Sequence, residues 1–157
     1  MKRIRQVTVW ACGVLVLAPA WGQSCPAGTT RVNQVIQLVG GNTMCASRGS
    51  DSWQEYHQGT GNSGDLIDYK LGPGHRIDPT KKVGTWSALN GANSSVTHTY
   101  GSTSYTWLVC DAGGGSYTLV STGNAGTVTG VTMRTGQVPC AGTAAAPARS
   151  VGGANRR

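Results

Sequence analysis

The segment Trp53-Gln54-Glu55-Tyr56-His57 holds the densest group of side chains able to do chemistry. On an extended strand, side chains alternate between faces. Trp53, Glu55 and His57 therefore share one face, and Gln54, Tyr56 and Gln58 the other. A Glu with a His two residues on suits acid–base work, or metal ligation if further partners converge. The plainer reading is a strand with a Trp core anchor and a solvated polar end. A second polar group follows at Asp65, Asp68, Tyr69, Lys70, His75, Arg76 and Asp78. Asp65 and Asp68 are the residue types of paired carboxylates in glycosidic chemistry, and they equally suit the flanks of a strand. Asp78-Pro79-Thr80 reads as an Asx-type turn. Trp53, Glu55, His57, His75, Arg76 and Asp78 form the candidate ligand-binding set, and no residue is assigned a catalytic role.

Other constellations are weaker. His57, His75 and His98 are the only histidines, and their spacing matches no zinc motif. The chain has no G-x-S-x-G elbow, P-loop or dinucleotide fingerprint. Gly113-Gly114-Gly115 lies between two strand-like runs and reads as a hairpin turn. Neither a metal nor a cofactor is expected. Asn93-Ser94-Ser95 is a formal glycosylation sequon.

The elements that must position these residues read as strands. Short runs rich in Val, Thr, Tyr and Trp are separated by Gly and Asn. The expected strands are 31–39, 43–47, 52–58, 65–70, 83–88, 95–100, 104–111, 116–122 and 127–134. Val96, His98 and Tyr100 fall on one face of their strand. Tyr105, Trp107 and Val109 fall on one face of theirs. Short loops favour antiparallel neighbours, and no useful window holds a 3.6-residue period uninterrupted by Gly. The expected fold is all-β: a single antiparallel meander domain, barrel or sandwich, with two disulfides. Barrel closure is favoured because it removes exposed edges. The connection 71–82 is the long polar exception, and such loops on β scaffolds often carry function.

The ends are of different character. Lys2, Arg3 and Arg5 precede an apolar run from Val7 to Ala18 and an Ala18-Pro19-Ala20 cleavage site, the three parts of a signal peptide. The run is shorter than the ~20 residues that span a bilayer, so no membrane span is expected in the mature chain. Expected boundaries are 1–20 for the leader, 21–140 for the β domain and 141–157 for a disordered basic tail. Leader removal takes Cys12 and leaves Cys25, Cys45, Cys110 and Cys140, an even set in an oxidising compartment. Short-range partners meet most easily, which favours Cys25–Cys45 and Cys110–Cys140. The whole chain carries +7, but between Trp21 and Cys140 seven Lys/Arg face six Asp/Glu. The basicity thus belongs to the ends, and nucleic-acid binding is not expected.

Gly84-Thr85-Trp86 resembles the G-x-W signature of the calycins, the lipocalin and avidin-like secreted barrels. The resemblance implies an up-and-down barrel with Trp86 plugging one end, and it implies no particular ligand. The leading functional expectation is a secreted or periplasmic non-catalytic β module for binding or structural roles, its partner a protein, glycan or small ligand. One alternative is a hydrolase inhibitor or small-ligand carrier using loop 71–82. The other is a secreted hydrolase using Glu55, His57 and Asp65 or Asp68. Self-assembly through Gln23–Thr30 or an unpaired edge strand is a related expectation.

Overall fold

Alternate residues of each long strand turn toward a common interior, and that pattern closes into a barrel. The computed structural model describes residues 23–69 and 80–140. A short strand β1 (Thr30–Arg31) and a helix α1 (Val35–Val39) come first. Eight strands follow: β2 (Asn42–Arg48), β3 (Asp51–His57), β4 (Ser63–Tyr69), β5 (Thr80–Leu89), β6 (Ser95–Tyr100), β7 (Thr103–Gly113), β8 (Ser116–Ser121) and β9 (Thr127–Thr135). Each pairs antiparallel with the next, and β9 pairs with β2, so the eight close on themselves. Met44 opposite Met133 marks this closing seam. The choice between barrel and sandwich thus resolves as an up-and-down barrel. The core is its inside, where Met44, Leu66, Val96, Val109, Leu119 and Val131 are buried.

One end is plugged. Val35 and Val39, one helical turn apart, are fully buried. Beside them Trp86 is buried and its indole N–H donates to the Gln58 carbonyl at 3.1 Å. Two glycines let the backbone close around this plug. A Cβ at Gly64 would overlap the Gln58 carbonyl oxygen, and one at Gly84 the Thr99 carbonyl oxygen. Trp86 is part of this plug. It comes from the fourth strand of the ring.

The segment expected as a strand over 31–39 is instead two residues of strand and a single helical turn. Its β-branched residues favour a strand locally. The i, i+4 pair Val35 and Val39 buries more apolar surface when the turn caps the barrel, and tertiary context prevails. Strand β5 begins at Thr80, so the long connection is shorter than 71–82 suggested. The remaining strands match within a few residues, and Gly114-Gly115 form the expected hairpin turn, both at positive φ.

The disulfide pairing differs from expectation. The bridges are Cys25–Cys110 and Cys45–Cys140, not Cys25–Cys45 and Cys110–Cys140. Loop-closure entropy grows only slowly with length, so strand register decides. Thr30 and Arg31 pair with Asp111 and Cys110, which lays the preceding Cys25 against β7. Strand β9 pairs with β2, so the chain leaving β9 returns over Cys45. Outside the barrel, Cys25 covers a small cluster of Leu108, Cys110 and Val120. Gln54, on the outer face of β3, is buried by the returning strap and accepts from the Cys140 N–H at 2.7 Å.

Candidate functional site

The end opposite the plug opens into a cavity of about 290 Å³ inside the barrel. Ring order explains its walls. Strands β3 and β7 lie four steps apart among eight, hence on opposite sides. Trp53 on β3 thus faces Tyr105 and Trp107 on β7 across the opening. Tyr105 and Trp107 run nearly parallel, 6.4 Å between ring centres and 22° between planes. Strands β2, β8 and β9 supply smaller groups to the lining, among them Ala46, Leu119 and Val128. At the rim the Arg48 guanidinium lies 5.7 Å over the Trp53 ring and donates to the Ala125 carbonyl at 2.6 Å.

Below the aromatic walls the interior turns polar. The Tyr100 hydroxyl donates to the Glu55 carboxylate, 2.6 Å from Oε1 and 2.8 Å from Oε2. His98 Nδ1 stands 3.9 Å from Glu55 Oε2, too far for a hydrogen bond but close enough for attraction. On its other side His98 Nε2 meets His57 Nε2 at 3.0 Å. His57 in turn packs edge-on against the Trp86 plug, 5.5 Å between centres. A polar line therefore runs from the cavity floor to the closed end: Tyr100, Glu55, His98, His57.

Burial governs the protonation of this line. Desolvation lowers His57 to a pKa of about 4, only partly offset by the nearby Asn42 and Glu55 carbonyls. Neither carbonyl satisfies hydrogen-bond geometry at His57 Nδ1, which has no partner of its own. His98 lies well below the ordinary imidazole range, through burial and then the neighbouring His57. Both rings are neutral at neutral pH, and one N–H is shared between the two Nε2 atoms. The Tyr100 hydroxyl is pushed far above its usual range by burial first and the Glu55 charge second. It stays protonated, a donor and not a base.

The expected site residues divide. Trp53 and Glu55 line the cavity. His57 shares their face, as alternation required, but sits beneath the floor at 0 % exposure. His75, Arg76 and Asp78 lie outside the described residues; the strands flanking them, β4 and β5, run to the open end, where Tyr69 pairs with Thr80. Asp65 and Asp68 do not form a carboxylate pair. Asp65 is outside the barrel in an ion pair with Lys82 at 2.8 Å. Asp68 stands opposite Glu55 in the β3–β4 register and so shares the inner face. The residues missed from sequence are Arg48, His98, Tyr100, Tyr105 and Trp107. Alternation had aligned four of them on two single-strand faces. What was lacking was the ring order that makes those faces look at Glu55 and Trp53.

The arrangement can hold a small molecule between aromatic walls and offer it an acceptor-rich floor. Among the described residues, no group of three or more His, Cys, Asp or Glu is placed to hold a metal ion. No helix among them is long and apolar enough to cross a membrane. No family model, curated protein or solved structure matches the chain.

Proposed function

We propose that this protein is an exported, non-catalytic binding module whose barrel interior holds a small organic molecule. The observation that carries the reading is the cavity itself: about 290 Å³, open at one end, aromatic at its walls and polar at its floor. Apolar concavities with a few convergent polar groups are the usual form of small-molecule sites. A space of this size holds about ten waters' worth of volume. The ligand is accordingly small, and its affinity falls in the micromolar to millimolar range by the ligand-efficiency bound. Export is supported by the leader-like residues 1–20 and by two disulfides, which persist in oxidising compartments. The up-and-down barrel with Trp86 at its closed end is in keeping with the calycin resemblance. Tyr100 held as a donor and two neutral imidazoles favour holding over turnover.

The test is a fragment screen followed by quenching of tryptophan fluorescence, since Trp53 and Trp107 line the cavity. Ala46→Trp places an indole in that space and should abolish binding while the barrel remains folded by circular dichroism. Fragments that bind Ala46→Trp as well as the unsubstituted protein would place the site elsewhere.

A further inference from the structure

We infer that His57 and His98 form a two-coordinate site for one soft monovalent cation, Cu(I) or its congener Ag(I), held in line between their Nε2 atoms. The site lies at and beneath the cavity floor, and it stands whether or not the cavity takes an organic ligand. The first observation is a conflict between the two rings. They meet Nε2 to Nε2 at 3.0 Å in the interior, and each has oxygen acceptors near it. His98 Nδ1 is 3.9 Å from the Glu55 carboxylate. The Asn42 and Glu55 carbonyls lie near His57, whose Nδ1 has no hydrogen-bond partner among the described residues. Those acceptors favour a hydrogen on both Nδ1 atoms. A neutral imidazole carries one N–H, so serving both acceptors leaves two bare lone pairs face to face. A hydrogen shared between the Nε2 atoms relieves this only by stripping one Nδ1. A cation between them relieves it at both rings. Each Nδ1–H then turns to an oxygen, the usual arrangement behind metal-bound histidine.

The second observation is the fit. An imidazole nitrogen bonds a d10 ion at about 2 Å, so two in line stand about 4 Å apart and the rings must part by about 1 Å. His98 has room to move, because it lines the cavity, whereas His57 is enclosed. Its retreat from His57 carries Nδ1 from 3.9 Å into hydrogen-bond range of Glu55. A carboxylate oxygen has more than one lone pair, so Glu55 accepts this bond together with that from Tyr100. The third observation is the number of donors. Zn(II) takes four ligands in a tetrahedron, and Ca(II) and Mg(II) take six or more oxygens. Among the described residues, no group of three or more His, Cys, Asp or Glu is placed to hold a metal. Two opposed nitrogens suit an ion that is content with two. Met44 lines the same cavity and puts a thioether, a soft ligand, on the way in. Both rings are neutral near pH 7, as imidazole must be to ligate.

The test uses the oxidised full chain carrying Cys12→Ala, which removes the one cysteine outside the two bridges. In chloride-free buffer at pH 7.5, silver nitrate and zinc sulfate are titrated by calorimetry, and the histidine ring nitrogens are followed by 15N NMR. One Ag(I) should bind per chain, at least a hundredfold tighter than Zn(II). Cu(I), kept reduced under nitrogen, should compete for the same site. Binding should shift the Nε2 resonances of His57 and His98 together and leave both rings with their hydrogen on Nδ1. His57→Leu/His98→Leu should weaken Ag(I) binding at least a hundredfold. Should that variant fail to fold, the ring resonances of the protein with both histidines decide by themselves. Zn(II) as tight as Ag(I), Ag(I) binding that survives the double substitution, or Nε2 resonances unmoved by Ag(I) overturns the assignment.

Discussion

His57 and His98 meet nitrogen to nitrogen in the interior, and their neutrality has a measurable consequence. In the unfolded chain a histidine titrates near its model value of 6.5, whereas folded His57 titrates near 4. Between those values the unfolded state holds a proton that the folded state does not. Stability from this residue is therefore complete above about pH 6.5 and is lost as pH falls toward 4, on the order of 3 kcal/mol. His98 shifts in the same direction and adds to the effect. Urea unfolding between pH 7.5 and 5 should show a midpoint that falls steadily with pH. In the double variant His57→Leu/His98→Leu the dependence should flatten, since both members of a buried polar pair are replaced together. A midpoint constant across that range in the unsubstituted protein would contradict the placement of the pair. Sequence periodicity put His57 with Trp53 and Glu55, and His98 with Tyr100. It held no information that His57 and His98, 41 residues apart, touch across three strand steps. That contact depends on how the sheet closes.

At the scale of elements, hairpins were legible and the plug was not. Gly113-Gly114-Gly115 between two β-rich runs permits little else, because positive φ at both turn positions suits Gly. The turn of α1 is too short to show a period and is built from strand-favouring residues, so only its docking reveals it. Gly64 and Gly84 were equally silent, since neither sits in a turn or at positive φ. Their role is proximity of a neighbouring carbonyl. Gly84→Ala should therefore cost about 1–3 kcal/mol or more, the range for overpacking, because the obstacle is the Thr99 backbone. Gly61→Ala, with nothing within 4 Å of the added carbon, should stay within about 0.5 kcal/mol. Denaturant midpoints of the two variants check the contrast. Equal effects would mean that Gly84 does not pack against β6 as described.

For the whole molecule, composition and cysteine parity were enough to expect one stapled β domain, but pairing required three dimensions. The bridges span 85 and 95 residues. In the chain-entropy model each constrains the unfolded chain by between about 4 and 5 kcal/mol. Cys45→Ala/Cys140→Ala should lower stability by roughly that amount, read as a fall in the urea midpoint relative to the oxidised protein. An unchanged midpoint would mean that the bridge does not form in solution. Closure of β9 on β2 also satisfies the edges of the ring, and Cys25 holds the N-terminal segment to its own barrel.

The two bridges also decide how tension would travel. Between Cys25 and Cys140 the covalent graph has four routes. One follows the chain to Cys45 and crosses to Cys140. Another crosses first to Cys110 and follows the chain onward. The other two, the unbroken chain and the path that crosses both bridges, run through everything from Ala46 to Val109 and have by far the most slack. A pull on the ends would tighten the first two and leave the stretch from Ala46 to Val109 slack. Arg48, Trp53, Glu55, His98, Tyr100 and Trp107 all lie on that slack stretch. The aromatic wall and polar floor of the cavity thereby lie off the covalent path that carries load applied at the termini, while Met44, Leu119 and Val128 of its lining lie on it.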